Sequence, residues 1–202
     1  MIQCCMANAK DEFIEIYTKN IKRAGADKLL EYLKKSDFFT CPASTRFHSN
    51  FAGGLVEHSV KVYHRFVKTL ENEYGKSQDK WPCSIESVAI IALLHDVCKI
   101  NIYKTEERNV KVGSEWVKRP YYAVEDPFPY GHGEKSVYII NGYTKLTHDE
   151  AMAINWHMGG YDARYSNGSY TLSDAYTRFP LCVLFHTVDL LTTYLDEKCI
   201  KQ

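Results

Sequence analysis

An excess of charge of one sign is missing from this chain. Lysine and arginine together number 25, and so do aspartate and glutamate, which leaves a formal charge of zero. A surface adapted over its whole extent to a nucleic-acid backbone is therefore excluded, and only a local basic cleft stays open. Long apolar runs are also missing: none approaches the roughly 18 residues that a membrane-spanning helix needs. The opening MIQCCMANAKDE has neither a positive leader region nor a long apolar stretch. No secretory signal is read there, and a soluble, cytoplasmic protein is expected. No cysteine pair has CxxC spacing; the seven cysteines fall at 4, 5, 41, 83, 98, 182 and 199. An odd number without a framework reads as free thiols in a reducing compartment. Repeats, low-complexity tracts and linkers are absent from the pattern as well.

What is present is an ordinary globular composition, with 45% hydrophobic and 25% charged residues in 202. That suits one domain with a full core. The periodicity is mostly helical. Helices are expected over about 10–22, with Phe13, Ile14, Tyr17 and Ile21 in one stripe, and over 26–36, with Leu29, Leu30 and Leu33. The loop from Phe39 to Gly54 carries Pro42, Gly53 and Gly54. Further helices are expected over about 55–74 and 84–97. Residues 100–125 are rich in Tyr, Val and Trp and turn at Gly113-Ser114, which predicts a β-hairpin. Three helices are expected to close the chain. One begins near His132. The second begins at the capping-box pattern Thr147-His148-Asp149-Glu150 and stops at Gly159-Gly160. The last runs from about Pro180 to Asp196. The fold class expected is all-α, a helical bundle with one small inserted β-hairpin.

The stretch ALLHDVCKI, residues 92–100, stands out in that pattern. An apolar run leads straight into His95 and Asp96, and a buried carboxylate costs several kcal/mol unless something pairs with it. Helical geometry sorts the remaining ligand-type residues. His58 shares a stripe with Val62, Phe66 and Leu70, whereas His64 falls on the polar side and is expected at the surface. His95 shares a stripe with Val88, Ile91 and Ala92. His132 opens a helix on the side continued by Ser136, Ile139 and Ile140. His157 follows Ile154 by three residues at the inward end of its helix. Asp189 shares a face with Phe185 and Thr192. Five segments thus bring His58, His95 with Asp96, His132, His157 and Asp189 inward. Their joint burial without a shared counter-charge would cost on the order of tens of kcal/mol, against a stability of about 5–15 kcal/mol. One or two divalent cations resolve the conflict, and imidazole with carboxylate suits Fe, Mn, Ni, Co or Zn.

The ordered set resembles the HD-domain superfamily of metal-dependent phosphohydrolases. FAGGLVEHSV is similar to that family's first-histidine helix and LLHDVCKI to its HD signature, while GHGEKS, INWHMGG and FHTVDLL resemble the later ligand segments. The likeness extends over about residues 45–197 and includes all six positions of the two-metal version. It implies a single HD domain over 1–202, with the helices of 1–44 packing on a metal-binding core of 45–197 and the hairpin inserted at 100–125. It also implies that His58, His95, Asp96 and Asp189 hold one metal and that His132 and His157 hold a second, with Asp96 bridging. Lys99 would then stabilise charge on the substrate beside Asp96. The family carries glycine where this chain has Cys98, which is read here as a small buried hydrophobe rather than a soft ligand.

The implied substrate is a phosphorylated small molecule such as a nucleotide, or a short nucleic acid. Arg46, Lys135 and Arg164 are candidate phosphate ligands, and His186, three residues before Asp189, is a candidate substrate contact. The hairpin aromatics Tyr103, Trp116, Tyr121 and Tyr122 suit either base stacking or a half-buried strand. Two other classes would use the same ligands: a di-iron oxygenase and a non-catalytic nucleotide sensor.

Overall fold

Apolar side chains at helical spacing dictate most of the architecture. The computed structural model describes residues 2–165 and 170–197, with side chains from residue 8 onward. Among these residues the helices are α1 Ile2–Asn20, α2 Ala26–Lys35, α3 Gly54–Tyr74, α4 Ile85–Leu94, α5 His132–Asn141, α6 His148–Asn155, α7 Thr171–Arg178 and α8 Pro180–Leu191. Between α4 and α5 the strands β1 Tyr103–Val112 and β2 Glu115–Val124 form one antiparallel pair. The all-α class with an inserted hairpin holds. None of the described helices is long and apolar enough to cross a membrane.

One hydrophobic cluster runs from Ala9 to Val188. α4 lies at its centre, packed by α1, α3 and α6. All seven residues from Val88 to Leu94 are buried, so α4 has no polar side, where the periodicity predicts one inward stripe. A helix surrounded by other helices can be apolar all round. α1 contributes Phe13, whose ring lies 5.1 Å from Phe38 and 5.4 Å from Phe39, centroid to centroid. α8 lies against α3 and α6, with Pro180 in its first turn and a π-helical turn, Thr192–Asp196, at its end.

Several features differ from the expectation, among them the end of α4, at Leu94 rather than near Val97. α1 begins well before residue 10. α6 ends at Asn155 because Trp156 leaves the helical region, so His157 lies beyond the helix. A fourth closing helix, α7, precedes α8; it buries only Leu172 and Ala175, too few for a periodic signal. Cys41, Cys83, Cys98 and Cys182 are free thiols; Cys4, Cys5 and Cys199 lie outside the described side chains.

The hairpin turns through Gly113 and Ser114, with Val112 opposite Glu115 and φ +63° at Gly113. Two-residue connections of this kind favour glycine because they require positive φ. Its base is half-buried at Tyr103 and Tyr121 to Ala123, and farther out only Val110 is. Its outer half stands in solvent, with Trp116 70% exposed and Arg108 directly opposite Arg119.

Candidate metal centre

Adjacent residues on a continuous helix point about 100° apart. His95 and Asp96 nevertheless both face the interior, because α4 ends at Leu94 and the chain turns through a 3-10 segment, Val97–Lys99. His95 Nδ1–H donates to the Ala92 carbonyl at 3.0 Å. His157 repeats the device at the end of α6, donating to the Ile154 carbonyl at 2.7 Å. Each imidazole so satisfies a carbonyl that a helix end leaves unpaired, and each is fixed with its Nε2 turned inward.

Two close backbone approaches bring the other histidines in. A side chain at Gly54 would meet the Ser49 carbonyl at 1.9 Å. The loop before α3 therefore packs directly on that helix, and the His48 ring comes 4.9 Å from His58. A side chain at Gly133 would meet the Asn155 carbonyl at 2.2 Å. α5 thus starts against the end of α6, and the rings of His132 and His157 lie 5.1 Å apart.

The result is a cluster of six. His58 Nε2 lies 3.2 Å from His95 Nε2, 3.7 Å from Asp96 Oδ2 and 3.3 Å from Asp189 Oδ1. His95 Nε2 lies 3.4 Å from Asp96 Oδ2 and 3.9 Å from Asp189 Oδ1. On the other side, Asp96 Oδ1 lies 2.9 Å from His132 Nε2 and 3.5 Å from His157 Nε2. Asp96 therefore stands between two groups of imidazoles. Lys99 Nζ donates to its Oδ2 at 2.5 Å.

The electrostatics follow from crowding. Burial opposes charge on Asp96, but Lys99 and the surrounding imidazoles outweigh it and hold the carboxyl well below its usual range. Burial likewise opposes charge on Asp189, and His58 outweighs it in the same direction. Burial opposes a proton on His58, yet Glu197 and Asp189 raise its pKa to about 10. Burial lowers the pKa of His95 and of His132.

The donor set fits a divalent transition metal. His58 Nδ1–H is committed to Glu197 Oε1 at 2.9 Å, as those of His95 and His157 are to carbonyls. With a cation in place of the His58 Nε2 proton, each Nε2 offers a lone pair to the same interior point. His157 Nε2 and Asp189 Oδ1 are buried with no hydrogen-bond partner, a costly state that a cation relieves. His58, His95 and Asp96 form one set that could hold an ion; His95, His157 and Asp189 form another; Asp96, Cys98 and His132 form a third.

Burial pushes the Cys98 thiol up to about 12, so it stays protonated, with Sγ 3.5 Å from His132 Nδ1. His186 donates from Nδ1 to the His157 carbonyl at 2.6 Å and buttresses that turn. The candidate phosphate ligands fall elsewhere. Lys135 is buried and donates to Asp126 Oδ1 at 2.6 Å. Arg164 is engaged by Asp162, Glu134 and Asn155 and lies 4.1 Å over the Trp156 ring. Arg46 is exposed on the loop before α3. His64 is exposed and meets Glu12 at 2.7 Å. Of the hairpin aromatics, Tyr103 lines the site, while Trp116 is far out on the ribbon.

Two neighbours escape the sequence reading. Glu197 supports His58 from behind. His48 lies against His58 with its Nε2 buried and unpartnered, and His48, His58 and Glu197 form a further set of possible ligands. In a regular helix Glu197 would fall about 80° around from Asp189, and only the π turn returns it to the site.

Among known proteins, residues 55–178 match the family model of the HD domain. No curated protein and no solved structure gives a significant match to the chain. The chain belongs to the HD-domain family, a superfamily of metal-dependent phosphohydrolases.

Proposed function

We propose that this chain hydrolyses a phosphate ester of a nucleotide or short oligonucleotide, with His58, His95, Asp96, His132, His157 and Asp189 holding one or two divalent cations. The observation that carries this reading is the common aim of the Nε2 atoms at two carboxylates, Asp96 buried and Asp189 half-buried, with His157 Nε2 and Asp189 Oδ1 buried and left unpartnered. A bound cation supplies Lewis acidity and lowers the pKa of a water toward neutrality.

The chain's own groups do the remaining work. Asp96 joins the two halves of the cluster, through Oδ2 toward His58 and His95 and through Oδ1 toward His132 and His157. Burial works against charge on Lys99, but Asp96 outweighs it and raises its pKa, so the ammonium stays charged. It lines the hollow at the centre, where it neutralises a phosphoryl oxygen as charge develops. Glu197, Ala92 and Ile154 hold three imidazoles in one tautomer.

The test is a metal-replete hydrolysis screen over nucleotides, cyclic dinucleotides and short RNA, run beside His95→Ala with metal content measured in both proteins. Turnover by the parent, with loss of metal and of rate in the variant, is expected. Equal rates in both proteins would defeat the mechanism.

A further inference from the structure

Two hollows meet at the candidate centre. The larger has a volume of about 500 Å³ and the smaller about 260 Å³. They share Phe47, His48, His157, Met158 and Asp189, so a molecule seated at the cluster reaches into both.

Their chemistry differs. The smaller contains Lys99 beside Ser44 and Thr45, a cation with two hydroxyls. The larger is bounded by Met158, Leu190 and the rings of Phe47, Tyr161 and Tyr194. Those rings are 70%, 67% and 68% exposed, a concentration of aromatic surface that marks a binding face rather than scattered surface residues. Among the described residues no lysine or arginine lines this hollow, and its acidic groups are Asp189 and Glu197.

We propose that the larger hollow binds the organic body of the phosphate ester, a flat and uncharged group such as a nucleobase or aryl ring, with the phosphoryl group turned toward Lys99 in the smaller one. This rests on the phosphohydrolase reading and adds the substrate's chemical class to it. The volume lies within the roughly 300–1,000 Å³ of small-molecule sites, which are mostly apolar with a few polar groups. An anionic body placed there would meet aromatic and aliphatic side chains and no lysine or arginine, so its charge would lose hydration without a hydrogen-bonded partner. The lysine sets the orientation, because Lys99 lines the smaller hollow and not the larger. Exposed rings at the rim gain most from a planar ligand laid against them.

The test is calorimetric titration of the full, metal-loaded chain with phosphonates, which resist hydrolysis. Phenylphosphonate is expected to bind about tenfold more tightly than methylphosphonate, the scale of one ring stack. Tyr161→Ala and Tyr194→Ala, both at exposed positions, are expected to remove that advantage and leave methylphosphonate affinity unchanged. A para carboxylate on the ring is expected to weaken binding about tenfold relative to a para carboxamide of similar size. Equal affinities for the phenyl and methyl compounds, an advantage that survives both tyrosine substitutions, or a carboxylate that binds as well as the carboxamide overturns the proposal. The same titrations separate the two readings. If His95→Ala abolishes methylphosphonate binding while the parent shows no phenyl preference, the centre stands and only the hollow's role falls. If the parent binds neither phosphonate, or binds both regardless of His95→Ala, the two readings fall together.

Discussion

Glu197 bears on the centre without entering it. Its carboxylate accepts the His58 Nδ1–H at 2.9 Å and is itself buried. Groups in this position orient a ligand and raise its basicity, and their loss typically costs about 10–100-fold in metal affinity. Glu197→Gln is expected to weaken metal binding on that scale in a chelator competition, with helical content by circular dichroism unchanged. At this scale the sequence shows why some residues are legible. His58 lies four residues before Val62 and eight before Phe66, so periodicity alone turns it inward. Glu197 lies past a π turn and His48 lies in an irregular loop, where no period applies. Lys135 and Arg164 show the opposite case. Their positions near His132 and His157 suggest anion binding, but Asp126 and Asp162, distant from any recognisable pattern, already hold them.

A corner of buried charge joins the helices. Arg23, just after α1, meets Glu150 of α6 at 2.7 Å and Glu86 of α4 at 3.3 Å. Burial works against charge on Glu150, but Arg23 and the Thr147 N–H outweigh it and depress its pKa. A depressed carboxyl stabilises the fold above its ordinary pKa of about 4.3, and that contribution is lost as pH falls through the lower folded value. Glu150→Gln is therefore expected to cost about 2–3 kcal/mol near pH 7, somewhat below a fully buried pair because Arg23 touches solvent. In urea titrations the gap from the parent is expected to close as the pH drops through and below about 4. The hairpin is the opposite kind of element. Outside its base only Val110 is half-buried, so excising residues 107–120 and bridging Glu106 to Tyr121 with glycine is expected to cost under about 1 kcal/mol, or at most about 2–4 °C in melting temperature. The hairpin and the capping box at Thr147 are legible because turn and cap chemistry is local. The end of α6 and the presence of α7 are not, because Trp156 and the two buried residues of α7 answer to packing from other helices.

Across the whole molecule, the six clustered histidine and aspartate side chains come from segments between residues 58 and 189, so the cluster exists only when the chain is folded. An ion that binds the folded state alone adds about 2.7 kcal/mol when present at a hundred times its dissociation constant. Treatment with a strong chelator is expected to lower the melting temperature by about 5–10 °C, with recovery on adding metal back, for a chain of this size. The class of fold and the convergence of six side chains can both be read from helical spacing together with the order His58, His95-Asp96, His132, His157, Asp189. The hollows beside the centre cannot, because their walls join Phe47 to Tyr194 and no spacing rule relates those positions. The placement of the three tryptophans has an optical consequence. Trp116 stands in solvent on the ribbon, whereas Trp81 and Trp156 are buried, the latter beneath the Arg164 guanidinium. Emission quenched by iodide therefore reports on the ribbon alone, and the protected remainder comes from Trp81 and from Trp156, the latter next to His157.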